Sequence, residues 1–422
     1  MVSLCLPFWR GLACRIFRNP DKLSRELVFC EKHRNSALDH GQHFEVKMEG
    51  LMTTTPRERV LNRLAGKAVD RIPNLSILMT FAARYIGQPY DRYVQDHRVL
   101  VEGNLRCCED FGIDMLSAIS DPVRETYDLG AEIVFPLDDV PYAAQPLVRE
   151  PADLQRLKLV NPVEGKRMLD RIEAIALYRQ KAGQQYPILG WVEGAFAEAC
   201  DLHGISETME DLYNRPAFMA DLLEFCTQQA VWFAEVQIDA GADFIGIGDA
   251  AASLIGPRLY RKFCLPYEQR IIAAIHAHGA KAKLHICGNI TALLRTLPET
   301  QADMIDVDYP VEFSSAVEAF GSNISACGNF EPSGIVMQGS AADVMQAVKD
   351  CVRVSGANTC IAPGCEVPRD TPLENMHVIS QTLREIAAQQ DCPDAGSIGV
   401  QDTVVVDVNV NRGCISEKNM LH

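Results

Sequence analysis

The chain has 422 residues, 47% of them hydrophobic, and a formal net charge of −16 at pH 7. That length fits one large α/β barrel or two ordinary domains with a sizeable core. The acidic balance disfavours nonspecific binding to nucleic acid or anionic membranes, which need a positive surface. No apolar run approaches the roughly 18 residues that span a bilayer. Ser3–Trp9 is apolar, but no basic segment precedes it, so it reads poorly as a secretory signal. The fifteen cysteines are therefore expected to be reduced, in a cytoplasmic protein.

Residues 1–51 mix Cys, Arg, His and Phe with no sustained period, and are expected to form a poorly ordered extension or the product of an upstream start codon. A cleaner pattern opens at Met52. Thr55-Pro56-Arg57-Glu58 carries an N-cap, a proline at the first helical position and an acid in the first turn. Eight strand-like runs follow: Asn74–Met79, Met115–Ser120, Ile188–Glu193, Phe244–Gly248, Lys283–Cys287, Met304–Val307, Ile324–Cys327 and Thr359–Pro363. Between them Met219–Gly241, Pro257–His278 and Ala342–Ser355 have helical periodicity, and Glu132–Ala144 reads as a hairpin insertion. Residues 391–422 alternate without a helical face and are expected to be a loosely attached tail.

Alternating strands and helices imply a parallel sheet, and eight of them favour a single (β/α)8 barrel over residues 52–390. A doubly wound open sheet is the competitor, but no Gly-x-Gly-x-x-Gly turn follows any strand. Asp121, Glu193, Asp249, His285, Cys287, Asp308, Asn329 and Cys365 all fall at or just after the C-terminal end of a candidate strand. Barrel enzymes build their sites on that face. Cys107, Cys108, Cys200, Cys226, Cys264 and Cys351 lie in helical stretches and are expected in the core.

His285 and Cys287 share one face of a strand. With Cys365, 77 intervening residues later, they form a soft to borderline donor set that favours zinc over magnesium or calcium. Three protein ligands leave a fourth position open, the pattern of catalytic zinc. Such a site suits a thiol, whose anion coordination favours, and points to alkyl transfer to or from sulfur. Hydrolysis by zinc-bound water is the rival and needs a nearby base. Glu193 and Asp249 are the candidate catalytic groups, as proton handlers, outer partners of the ligands or resting fourth ligands; a helix cap or structural ion pair is the alternative for each. Glu366 is close enough in sequence to approach the ion. Trp191 and Phe196 read as pocket or core residues.

Several stretches resemble the uroporphyrinogen decarboxylase superfamily between about Thr55 and Leu383. Asp70-Arg71-Ile72-Pro73 and Ala83-Arg84-Tyr85 are similar to its N-terminal signature, and Ile119-Ser120-Asp121-Pro122 to an aspartate after the next strand. Gly248-Asp249-Ala250 with Ser253, Pro257, Tyr260, Phe263 and Pro266 is similar to the central signature, and Thr371-Pro372-Leu373-Glu374-Asn375 to the C-terminal one. Within the superfamily, His-x-Cys and a distant Cys resemble the zinc-dependent methylcobamide:thiol methyltransferases, such as the methylcobamide:coenzyme M enzymes of methanogens. The decarboxylase branch has a basic Arg-Gln-Ala-Gly-Arg stretch where this chain has Thr80-Phe-Ala-Ala-Arg84, and a Gly-His-Gly where it has Gly364-Cys365-Glu366. A multiply charged tetrapyrrole needs paired cations, so the missing arginine argues against that substrate.

The resemblance implies that His285, Cys287 and Cys365 ligate zinc, that methylcobalamin donates the methyl group, and that a thiol or tetrahydrofolate accepts it. Arg84 and Asp121, within the matching signatures, and Asn329, at its strand end, are the candidate cofactor-binding residues. Base-off cobalamin domains carry Asp-x-His-x-x-Gly; the nearest stretch, Asp201-Leu-His203-Gly-Ile-Ser206, ends in serine, so a separate corrinoid protein is the expected partner. Decarboxylation of a tetrapyrrole or related polycarboxylate, and a non-catalytic corrinoid-handling role with structural zinc, stand as the alternative readings.

Overall fold

Thr55 accepts a hydrogen bond from the Glu58 N–H while the Glu58 carboxylate accepts one from the Thr55 N–H at 2.9 Å, and this capping box starts the helix Pro56–Leu64 as the sequence pattern requires. The computed structural model describes residues 54–390; the expected extension over 1–51 and the tail over 391–422 lie outside the described residues. Nine strands are present among them: β1 (Leu116–Ser117), β2 (Ile133–Val134), β3 (Tyr142–Ala143), β4 (Ile188–Glu193), β5 (Phe244–Gly248), β6 (Lys281–His285), β7 (Met304–Val307), β8 (Ser325–Phe330) and β9 (Cys360–Pro363). β2 and β3 form the expected hairpin insertion, paired antiparallel. The other seven form one parallel sheet in the order β1-β4-β5-β6-β7-β8-β9.

The eighth stave is the Asn74 segment, and it is not the regular strand Asn74–Met79 expected from its apolar run. Only an isolated parallel bridge joins Asn74 to Ile361. The physical reason lies in its donors. Pro73 has no N–H, and the Asn74 N–H is taken by Asp114 Oδ2 at 2.8 Å rather than by a strand carbonyl. The segment nevertheless closes the barrel. On one side Leu75 N–H donates to the Ile361 carbonyl at 2.9 Å, and on the other Asp114 N–H donates to the Asn74 carbonyl at 2.8 Å. The result is a (β/α)8 barrel with one stave held by a few backbone bonds and the Asp114 carboxylate.

Smaller differences follow local chemistry. The Pro257–His278 helix is two helices, Pro257–Phe263 and Leu265–Ala277, broken at Cys264, where Pro266 just inside the second helix cannot donate to the turn before it. β6 stops at His285, so Cys287 lies two residues past the strand end rather than on it. β8 runs to Phe330, which puts Asn329 inside the strand. The six helical cysteines are all buried, as expected. No helix among the described residues is long and apolar enough to cross a membrane.

Candidate metal centre

The end of β6 and the loop after β9 bring three donors together. His285 Nε2 lies 2.9 Å from Cys287 Sγ and 3.8 Å from Cys365 Sγ, and the two sulfurs are 3.8 Å apart. Cys365 reaches this position because Gly364 precedes it: a Cβ at Gly364 would stand 2.5 Å from the Tyr309 nitrogen and 2.6 Å from Asp308 Oδ1. Asp308 in turn accepts from the Gly288 and Tyr309 N–H groups, both at 2.7 Å. It thereby ties the loop that carries Cys287 to the one after β7.

Electrostatics inside the cluster already separate the two thiols. The hydrogen bond between the two sulfurs, with His285 beside it, lowers Cys365 to about 4 against the opposing effect of burial. Cys287 is pushed up, first by the same hydrogen bond and then by burial. Burial works against charge on His285, but Cys287 and the hydrogen bond to Asp306 outweigh it and the imidazole is raised. The register of the sheet sets His285 opposite Asp306 on β7, and Nδ1 lies 3.1 Å from Asp306 Oδ2. That contact leaves Nε2 facing the sulfurs.

Glu193, the last residue of β4, connects to this cluster through Trp191. The Trp191 and His285 rings are 6.1 Å apart between centroids, and Trp191 Nε1 donates to Glu193 Oε1 at 3.2 Å. Arg124 Nη2 donates to the same oxygen at 2.9 Å. Burial raises the Glu193 carboxyl well above its ordinary range, although the Arg124 charge opposes it. The indole has room because its neighbour on β5 is Gly246: a Cβ there would fall inside the ring's van der Waals envelope. Gly246→Ala is therefore expected to cost about 1–3 kcal/mol through overpacking, with the displaced indole reported by a changed near-ultraviolet circular dichroism spectrum.

The remaining sequence candidates lie elsewhere around the mouth. Asp249 donates its backbone N–H to the His285 carbonyl at 2.9 Å, but its carboxylate turns to the helix Ala195–His203, accepting from the Ala197 N–H at 2.8 Å. Burial lifts it to about 7. Asp121 is buried in an ion pair with Arg167 at 2.5 Å. Asn329 donates to the Val311 carbonyl at 2.7 Å. Arg84 is outside the cluster: its side chain is 43% exposed, 3.5 Å from Asp370, and donates to the Arg369 carbonyl. Glu366 turns to Thr80, accepting from its N–H at 2.8 Å and its hydroxyl at 2.6 Å. Trp191 and Phe196 are both buried. Four participants in these networks went unnoticed in the sequence: Lys283, Asp306, Arg124 and Arg167. The only signal for Asp306 was its place in an apolar strand next in order to the one bearing His285.

A closed barrel whose polar groups gather at the C-terminal ends of its strands defines the class as a barrel enzyme. The chain belongs to the uroporphyrinogen decarboxylase family: the profile described as "Uroporphyrinogen decarboxylase (URO-D)" matches residues 55–386. It is 28% identical over 332 residues to the methylcobamide:CoM methyltransferase MtbA of Methanosarcina acetivorans, covering 76% of this chain and 95% of the relative. To the uroporphyrinogen decarboxylase of Trichormus variabilis it is 25% identical over 358 residues, covering 80% and 99%. Among solved structures, a methyltransferase from Methanosarcina mazei superposes with a TM-score of 0.73 at 22% identity, covering 79% of this chain and 99% of the other. That likeness supports the barrel fold.

Proposed function

We propose that this chain is a zinc-dependent methyltransferase that moves a methyl group between a methylated corrinoid, carried by a separate protein, and a thiol or tetrahydrofolate acceptor. The observation that carries the reading is the convergence of His285, Cys287 and Cys365 within 4.8 Å at the catalytic end of the barrel. The similarity to methylcobamide:CoM methyltransferases supports the methyl donor.

The donor set fits zinc. With bonds of about 2.3 Å to sulfur and about 2.0 Å to nitrogen, tetrahedral donors stand roughly 3.5–3.8 Å apart. The two 3.8 Å separations match that spacing. The 2.9 Å approach of His285 to Cys287 would open by about 0.6 Å to reach it. When bound, zinc favours the anion of a thiol over the thiol itself.

The chain's own residues do the rest. Asp306 orients the imidazole, and Asp308 fixes the Cys287 loop. Trp191 walls one side of the donors. Glu193 is joined to that indole and to Arg124, and so holds the wall in place. His203 offers no lower ligand for a corrinoid: Nδ1 bonds the Val148 carbonyl at 2.7 Å and Nε2 bonds Asp211 at 2.9 Å. Both ring nitrogens are used inside the fold, which supports a corrinoid brought by a partner protein.

Decarboxylation of a tetrapyrrole keeps support from the decarboxylases among the relatives. Against it, Arg84 is held at the surface by Asp370 rather than turned to the donors. Elemental analysis of the purified full chain, followed by optical assay of methylcobalamin demethylation with a panel of thiols and tetrahydrofolate, tests the proposal. About one equivalent of zinc per chain and acceptor-dependent demethylation are expected. Less than about half an equivalent, unchanged in Cys365→Ala, would overturn it. Uroporphyrinogen turnover that survives both His285→Ala and Cys287→Ala would establish the decarboxylase reading instead.

A further inference from the structure

Beneath the donor cluster the barrel encloses a lysine. Lys283 stands on β6 two residues before His285, on the same strand face, and is 1% exposed. Its ammonium group pairs with Asp306 Oδ2. That is the oxygen His285 Nδ1 faces at 3.1 Å, so one carboxylate oxygen serves both residues. Among the described residues Asp306 is the only acidic partner of Lys283 in an ion pair. Burying such a pair costs desolvation that its mutual attraction barely offsets, and a hydrophobic pair of similar volume would serve stability as well. Its position, one contact behind a metal-donor imidazole, gives it another use.

We propose that Lys283 is a positioning residue for the metal centre: it pins the Asp306 carboxylate so that Oδ2 accepts from His285 Nδ1 and the Nε2 lone pair faces Cys287 and Cys365. The inference rests on the zinc reading of the site. Charge balance supports it. Zinc with two thiolates and a neutral imidazole is neutral overall, and Asp306 with Lys283 adds no net charge. Without Lys283 the carboxylate would be a lone buried anion missing one of the two contacts that aim it. Asp306 also lies opposite Cys327 in the β7–β8 register, where a thiol offers no compensating cation.

The test is zinc affinity of the full chain, measured by competition with a chromophoric chelator, with the absorption spectrum of the cobalt(II)-loaded protein as a second readout. Lys283→Met and Asp306→Asn are each expected to weaken zinc binding about 10- to 100-fold, the usual effect of losing an outer partner of a ligand. Both should change the cobalt spectrum. The double variant is expected to bind no more weakly than Asp306→Asn, because the two residues act as one unit. Lys283→Arg should restore most of the affinity.

A merely structural lysine would lower the melting temperature of the zinc-free chain and leave zinc affinity and cobalt spectrum unchanged. Affinities within about threefold of wild type in folded Lys283→Met, against the 10-fold minimum expected, would overturn the proposal. If Lys283→Met does not fold, Lys283→Gln, whose amide keeps a weaker donor toward Asp306, carries the same comparison with wild type. Wild-type protein that takes up no zinc would instead remove the functional reading on which the inference rests.

Discussion

Cys365→Ala is expected to reduce zinc affinity by about a thousandfold or more, since it deletes one of the three proposed ligands from a bond set of the kind worth roughly 10–16 kcal/mol. Methyl transfer should fall with it. The loss reaches beyond one sulfur. Cys365 carries the lowered thiol of the cluster, and its sulfur lies 3.8 Å from that of Cys287. Its removal leaves Cys287 beside the imidazole alone. Cys200→Ala and Cys226→Ala are the controls, because both side chains are buried in helices away from the donors. They should lower stability modestly and leave zinc stoichiometry intact. Elemental analysis and demethylation rates on the three variants separate the outcomes. Equal zinc content in all three would remove Cys365 from the ligand set.

The second large effect concerns the barrel seam. Asp114 is fully buried and accepts four hydrogen bonds. One comes from Arg59 at 2.6 Å, two from Arg71 at 2.6 and 2.9 Å, and one from the Asn74 N–H at 2.8 Å. Asp114→Ala would leave Arg71 without an acidic partner, strip one of two carboxylates from Arg59, which keeps Asp70, and free the Asn74 N–H. Breaking a buried pair from one side costs about 3–5 kcal/mol, so the urea midpoint should drop sharply. Zinc content of the fraction that remains folded should not change. A midpoint within experimental error of wild type would mean that the seam does not depend on this carboxylate. The Asp70-Arg71-Ile72-Pro73 signature thereby gains a structural reading: Arg71 and the chain after Pro73 are gathered on Asp114 to shut the barrel.

The donor cluster was legible because its spacing is chemical: His-x-Cys at a strand end and a cysteine after a glycine come together even though Cys287 lies just past β6. The staves were legible where apolar runs are uninterrupted, as in β4 and β5, whose bounds match the pattern. The first stave was misread because an apolar run says nothing about who takes each N–H. There Pro73 and Asp114 decide. Lys283 and Asp306 escaped notice for a related reason. Nothing along the chain marks which β7 residue stands across from His285 until the register is known. Arg84 was assigned from its position in a signature, and the helix that carries it turns the side chain toward Asp370.

The separation of Cys287 and Cys365 by 78 positions would make the proposed metal centre part of the folding equilibrium as well as of the chemistry. An ion held by both cysteines clasps β6 to β9 across two intervening strands. It would bind the native chain and have no comparable site in the unfolded one. At a free concentration a hundred times its dissociation constant it would add about 2.7 kcal/mol to the stability of the fold. Metal supply would then set the abundance of this protein along with its turnover, since chains made under zinc limitation would spend more time open to proteolysis.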